Sequence, residues 1–271
     1  RQRYSARQRT ADQDPDVNRH GQSVSAITLL TDFGTADYFV GAMKGVILSI
    51  NPKAVIADIT HEIPAQDVAA GAFTLLAVYN TFPKETIHVA VVDPGVGSER
   101  RPIVVSAGGY LFVGPDNGLF TYIYDREPNF EAFHITATEY FRHPVSTTFH
   151  GRDIFAPVAA ALSNSVDPTS LGTRIFDVVR LSISSEPHII HIDRFGNLIT
   201  NIDSLEDGMS LVVSGKKISV RKEFFGEDRG KTGEPFMIWG SAGFLEIAVN
   251  GGSAANNLNV KRGDPVTLLR T

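Results

Sequence analysis

The chain has 271 residues, 42% of them hydrophobic and 20% charged, which is enough apolar material for a sizeable core and enough length for two domains. It has no cysteine, which excludes disulfides, thiolate metal sites and a cysteine nucleophile together. The net charge is -5, there is no basic stripe, and no apolar run approaches the ~20 residues that span a bilayer, so neither nucleic acid nor a membrane is an expected partner.

Residues 1–25 are polar and mixed in charge, with Tyr4, Val17 and Val24 as the only large apolar side chains, and read as a flexible tail without a catalytic part. Ile27–Thr31 reads as a buried strand ending in Asp32-Phe33-Gly34. Asp37 is the expected N-cap of a helix over 38–50, in which Phe39, Met43, Val46 and Ile50 share a face. Val55–Ile59 is the next strand. Asp67 caps a second helix with Val68, Ala72, Leu75, Leu76 and Tyr79 at helical spacing, and Ile87–Val92 is a third strand ending in Asp93-Pro94-Gly95. This alternation predicts a largely parallel sheet with crossover helices. Ile103–Val113 is extended and broken by a Gly108-Gly109 hairpin turn, Pro115-Asp116-Asn117-Gly118 is a turn, and a last helix covers 153–163 with Asp153 near its start. Beyond about residue 180, short β-rich runs follow one another from Ile189–Ile192 to Val266–Leu269. The expected architecture is an α/β domain over 26–180, mostly parallel, followed by a small all-β, barrel-like domain over 187–271.

Four groups of residues carry possible chemistry. Asp32, Asp58 and Asp93 each close a β-run, and ligands in open α/β sheets bind beyond the carboxyl ends of strands. Such aspartates also serve as plain helix caps and turn starters; three on one rim favour a site for ribose hydroxyls or a cation. In Asp93-Pro94-Gly95-Val96-Gly97-Ser98-Glu99-Arg100, a loop shaped by proline and glycine brings Arg100 back towards Asp93, where the alternative is an ordinary turn with a solvated arginine. His150 in Thr148-Phe149-His150-Gly151 stands at a helix start, where the dipole favours neutral imidazole that can orient or deprotonate water. Asp193-Arg194-Phe195-Gly196-Asn197 sets an aromatic ring and an amide side by side, suited to a nucleobase or to a β-turn. The loops at Ser241 and at Asn250-Gly251 are suited to close ligand approach or simply to turns. No GxxxxGK[ST] loop or GxGxxG fingerprint is present, and His188 and His191 point to opposite faces of a strand, so no metal is expected.

Taken in order across 26–271, these segments resemble the S-adenosylmethionine hydroxide adenosyltransferases, relatives of the fluorinases and chlorinases. The resemblance implies hydrolysis of S-adenosylmethionine to adenosine and methionine without a cofactor, by a homotrimer whose sites lie between one subunit's first domain and a neighbour's second. It assigns Asp93, Arg100 and His150 as the catalytic triad. It gives Asp32 to the ribose hydroxyls, Phe195 and Asn197 to adenine with Asn250 and Gly251 alongside, and Asp37, Asp193 and Ser241 to the methionine end. Two departures stand out: Ala242 follows Ser241 where the fluorinase has arginine, and the loop before Phe195 is one residue shorter. The halide-using relatives carry tyrosine in place of Asp93, which disfavours a halide adenosyltransferase. A non-catalytic adenosine-binding protein would not need all three triad residues. The chain begins with Arg1, which leaves export open; cytoplasm is the expectation, because that substrate is made there.

Overall fold

The computed structural model describes residues 25–227 and 233–270. The expected tail over 1–25 lies, Ser25 apart, outside them. The first domain runs β1 (Ile27–Thr31), α1 (Phe39–Ile50), β2 (Ile56–Thr60), α2 (Val68–Val78), β3 (Ile87–Val91), β4 (Pro102–Ala107), β5 (Tyr110–Pro115), α3 (Thr121–Arg126), β6 (Glu131–Ile135), α4 (Ala156–Ser163) and β7 (Gly172–Ile175). Its seven strands lie in the order β2-β1-β3-β5-β4-β6-β7. The pairs among β2, β1, β3 and β5 are parallel, whereas β4–β5, β4–β6 and β6–β7 are antiparallel. Only β4 and β7 therefore run against the rest.

Side chains alternate across this sheet and feed two cores. Ile27 and Leu29 of β1, with Val89 and Val91 of β3, pack under Met43 and Ile47 of α1 and Val158 of α4. Leu30, Ala90 and Phe112 face the other way, against Leu75 of α2 and Ile123 of α3. Asp67 caps α2 as expected, accepting from Ala70 N–H at 2.9 Å. Asp37 does not cap α1: the N-cap is Tyr38, without a side-chain bond, and Asp37 is exposed. The expected helix over 153–163 is an α-helix only from Ala156; Gly151–Phe155 forms a π-helical turn before it, with Pro157 in the first turn of α4.

The second domain runs β8 (Ile189–Ile192), β9 (Leu198–Thr200), β10 (Met209–Val213), β11 (Lys216–Ile218), β12 (Pro235–Trp239), β13 (Leu245–Val249), α5 (Ala254–Leu258) and β14 (Thr267–Arg270). Two antiparallel sheets, β11-β10-β14 and β12-β13-β9-β8, enclose one core around Leu198, Leu211, Val213, Met237 and Ile247. They do not close into a barrel among the described residues. Single bridges, His188–Pro265 and Arg221–Met237, join their edges, and Pro265 has no N–H with which to extend a ladder. The outer face of the larger sheet docks on α2: Phe73 stacks on His191 with ring centroids 4.9 Å apart and meets Phe244 at 6.1 Å, while Arg262 Nη1 lies 2.5 Å from Asp67 Oδ2.

His88 on β3 is fully buried among Phe82, Tyr110 and Phe112, bonded through Nδ1 to Thr28 Oγ1 at 2.8 Å. Burial depresses its pKa to about 4, the Tyr79 backbone offsetting only part of the effect. Its stabilising contribution is therefore complete above an unfolded pKa of about 6.5 and is lost as pH falls through about 4, on the order of 3 kcal/mol in all. Urea unfolding between pH 7 and 4 is expected to show this loss, and His88→Phe to flatten it; an unchanged slope in the variant would assign the acid sensitivity to other groups.

Candidate active site

The carboxyl ends of β1 and β3 open into a cavity of about 380 Å³. Asp32 and Phe33 enter from the end of β1, Asp93 from the end of β3, Phe39 from α1, Ala65 and Gln66 from the loop before α2, and Thr148–Gly151 from the segment before α4. Asp58 is not on this wall; it lies within β2, engaged by Lys44 and His61. Two of the three strand-end carboxylates thus share the rim. A second hollow of about 410 Å³, beside Val46, Tyr140 and Pro157, contains none of the expected site residues.

The loop after Asp93 turns tightly, with Val96 N–H bonded to Asp93 O at 3.2 Å and Ser98 N–H to Gly95 O at 3.1 Å. Gly97 sits at φ +77° against the next segment, and a Cβ there would lie 2.2 Å from Thr147 O. Only glycine permits that approach, which sets Arg100 beside His150. The His150 segment is shaped by Asp153, wholly buried, which accepts from Arg142, from Arg152 and from Ser146 N–H.

Asp93, Arg100 and His150 form one bonded unit. Arg100 Nε donates to both Asp93 oxygens at 3.0 Å, and its Nη2 donates to Asp93 Oδ2 and to His150 Nδ1, the latter at 2.7 Å. The Arg100 and Asp93 side chains are only 8% and 5% exposed, and Phe155 underlies the guanidinium at 5.3 Å. Arg100 Nη1 is buried without a protein partner among the described residues. A guanidinium can only donate, so His150 Nδ1 is an acceptor and the neutral ring carries its proton on Nε2. Burial first, then the Arg100 charge, lower the His150 pKa, against the opposing pull of Asp93 and Asp153. The ring is thereby held neutral near pH 7.

The second-domain residues form a separate group. Asp193 folds its own loop, accepting from Phe195 N–H and Asn197 N–H at 2.9 Å and from Asn197 Nδ2 at 2.8 Å. This leaves Phe195 71% exposed and Asn197 buried. Gly196, at φ +83°, presses on Ser253, where a Cβ would lie 2.0 Å from Oγ, so the turn at Asn250-Gly251 stands beside the Phe195 loop. Ser241 is exposed in the turn before β13, at the far end of that strand from Asn250. No residue beyond Gly151 lines the first-domain cavity, and Asp37 is also absent from its wall.

The family model for the SAM hydroxide adenosyltransferase N-terminal domain matches residues 27–172, and that for its C-terminal domain matches 187–267. This chain belongs to the SAM hydroxide adenosyltransferase family. An (R)-S-adenosyl-L-methionine hydrolase of Thermus thermophilus is 38% identical, with 90% of this chain and 99% of that one covered. Its counterpart in Methanocaldococcus jannaschii is 39% identical, over 90% and 95%. A fluorinase of Actinopolyspora mzabensis stands further off, at 26% identity over 90% and 97%. The crystal structure of an uncharacterized conserved protein from Thermotoga maritima aligns with a TM-score of 0.84 at 37% identity, over 90% of this chain and 100% of that one.

In this member of the family, several wall residues had no legible signal. Gln66, at φ +64°, gives its N–H to Asp32 Oδ2 at 2.7 Å, yet in sequence it merely precedes a helix cap. Phe33 and Phe149 pack edge to face across the cavity wall at 5.9 Å, though their spacing along the chain suggests nothing. Away from the cavity, in the second domain, Glu246 on β13 is half-buried, with its pKa raised first by burial and then by the Asp193 charge.

Because Arg100 holds down the His150 pKa, Arg100→Gln is expected to move the His150 titration upward, by removing a cation and unmasking the Asp93 carboxylate. Proton NMR of the imidazole C–H signals measures it; an unmoved midpoint would contradict the bonded unit.

Proposed function

We propose that this chain hydrolyses S-adenosyl-L-methionine to adenosine and L-methionine by attack of water at ribose C5′. The observation that carries the reading is the Asp93–Arg100–His150 unit at the edge of a cavity whose other rim holds Asp32. The names of the relatives at 38% and 39% identity support it.

The new C5′–O bond forms as the C5′–S bond breaks, and the sulfonium takes the bonding pair and departs as neutral methionine thioether. The leaving group needs no proton and the reaction calls on no cofactor; the difficulty is the weak nucleophile. With Nδ1 engaged by Arg100, neutral His150 presents Nε2–H and orients water as a donor. Arg100 carries no proton acceptor. The water proton therefore passes to Asp93, whose carboxylate keeps lone pairs beyond those used by Arg100. General-base help of this kind is worth about 10²–10⁴-fold, with in-line positioning adding to it.

Asp32 holds the ribose hydroxyls in this reading. Phe195 stacks on adenine. Asn197, its amide nitrogen given to Asp193, offers its oxygen to the exocyclic amine, with Asn250 and Gly251 bordering the base. Asp37, Asp193 and Ser241 take the methionine end. Because the second-domain residues do not line the first-domain cavity of the same chain, the reading includes a homotrimer in which a neighbour's second domain completes each site. It also includes residence in the cytoplasm, where the substrate is made; among the described residues no helix is long and apolar enough to cross a membrane.

Incubation with S-adenosylmethionine in ¹⁸O-water containing chloride is expected to give methionine and adenosine labelled at the 5′ oxygen by mass spectrometry, and Asp93→Asn to lower kcat about 10²-fold or more with adenosine affinity within about tenfold. A 5′-chloro product, or undiminished turnover in the variant, would overturn the assignment.

A further inference from the structure

The strand end that bears Asp32 is held by a polar chain, buried at His61 and Thr31, to which the proposed reaction gives no part. The His61 side chain is 4% exposed, with Nε2 3.2 Å from Asp58 Oδ1, and its Nδ1 lies 2.9 Å from Thr31 Oγ1. Lys44 of α1 completes the chain, with Nζ 2.6 Å from Asp58 Oδ2. Burial alone would raise the Asp58 pKa, but the proximity of Lys44 and His61 outweighs it and holds the pKa below its usual value.

Asp, His and Thr in this order have the form of a nucleophilic triad. The Thr31 hydroxyl is nevertheless fully buried and absent from the cavity wall, which begins at the next two residues, Asp32 and Phe33. Thr31 Oγ1 accepts from Phe33 N–H at 3.3 Å and shares a hydrogen bond with His61 Nδ1. His61 Nε2 faces Asp58 Oδ1 at 3.2 Å, a close polar contact rather than a well-formed hydrogen bond. Polar contacts thus connect Lys44, Asp58, His61 and Thr31 to the backbone of Phe33.

The segment after His61 clasps the same strand end. Gly34 N–H bonds to His61 O at 2.8 Å, Ile63 N–H to Thr31 O at 3.4 Å, and Gln66 N–H to Asp32 Oδ2 at 2.7 Å. Gln66 does this at φ +64°, a conformation side chains rarely adopt and one that persists where surrounding contacts enforce it. The β1–β2 register also shifts just after the Leu29–Asp58 pair, a local irregularity of the kind that re-aims side chains beside sites.

We propose that His61, acting through Thr31, is a positioning residue: the Lys44–Asp58–His61–Thr31 chain fixes Asp32 and Phe33 in the orientation that receives the ribose. The proposal rests on the reading of the cavity as the adenosyl site. It predicts a defect in binding rather than in chemistry, since nothing in the chain touches Asp93, Arg100 or His150.

The test compares Thr31→Val, which keeps shape and loses the hydroxyl, with Thr31→Ser, which keeps the hydroxyl. Steady-state kinetics, adenosine titration calorimetry and thermal melting are read together on the full chain. Thr31→Val is expected to raise both KM and the adenosine Kd about tenfold, with kcat and its pH profile unmoved, and Thr31→Ser to restore both. His61→Phe should give the same shift and add nothing to Thr31→Val in the double variant. A lowered Tm with KM and Kd within about twofold of wild type would show a merely structural role and overturn the proposal. That result with an active wild type removes this inference alone; a wild type that neither hydrolyses S-adenosylmethionine nor binds adenosine removes the functional reading and this one with it.

Discussion

The Arg100 guanidinium is the fixed point of the site. It binds Asp93 through two nitrogens and His150 through one, and it does so almost without solvent. Removing one partner of a buried ion pair destabilises a protein by about 3–5 kcal/mol, so the fold around the Asp93 strand end depends on Arg100. With burial, the same cation lowers the His150 pKa, and it determines which ring nitrogen bears the proton. One side chain therefore fixes the place of one neighbour and the hydrogen-bonding sense of the other, and the loop over Pro94–Gly97 exists in the shape that delivers it.

The remainder of the first domain serves to hold this unit opposite Asp32. The parallel strands β1 and β3 are adjacent and in register, so their carboxyl ends deliver Asp32 and Asp93 to one rim. The buried Asp153 folds the arm that presents His150, and the His61–Gln66 segment braces the opposite wall. Asp67, at the end of that segment, both caps α2 and meets Arg262 of the second domain. The docking of the second domain and the geometry of the cavity are thus joined through a single short stretch of chain.

Much of this was legible in the sequence. Short apolar runs mark β1 and β3, buried along their whole length, the Asp67 cap is read directly, and the proline and glycines after Asp93 foretell the return of Arg100. What escaped has physical causes. The helix α3 has six residues, too short for a periodic signal, and β7 shows no buried residue at all, its pairing with β6 set by the sheet rather than by its own pattern. Asp37 has the chemistry of a cap, but the chain enters α1 one residue later. Asp58 has the look of a rim carboxylate, yet it sits inside β2 against Lys44. The barrel expected from many short strands stays open where Pro265 ends the pairing. Gln66 contributes to the site through its backbone N–H, and a backbone group leaves no mark in the side-chain sequence.

The central claim is that Arg100 bonds His150 at Nδ1 and so makes the ring a donor towards the nucleophile. The most direct measurement is ¹⁵N NMR of the imidazole nitrogens of His150, assigned with a His150→Gln variant, at a pH where the ring is neutral. The account predicts a single tautomer with a bare, hydrogen-bonded Nδ1 and a protonated Nε2. A proton on Nδ1, or a free mixture of the two tautomers, would contradict it.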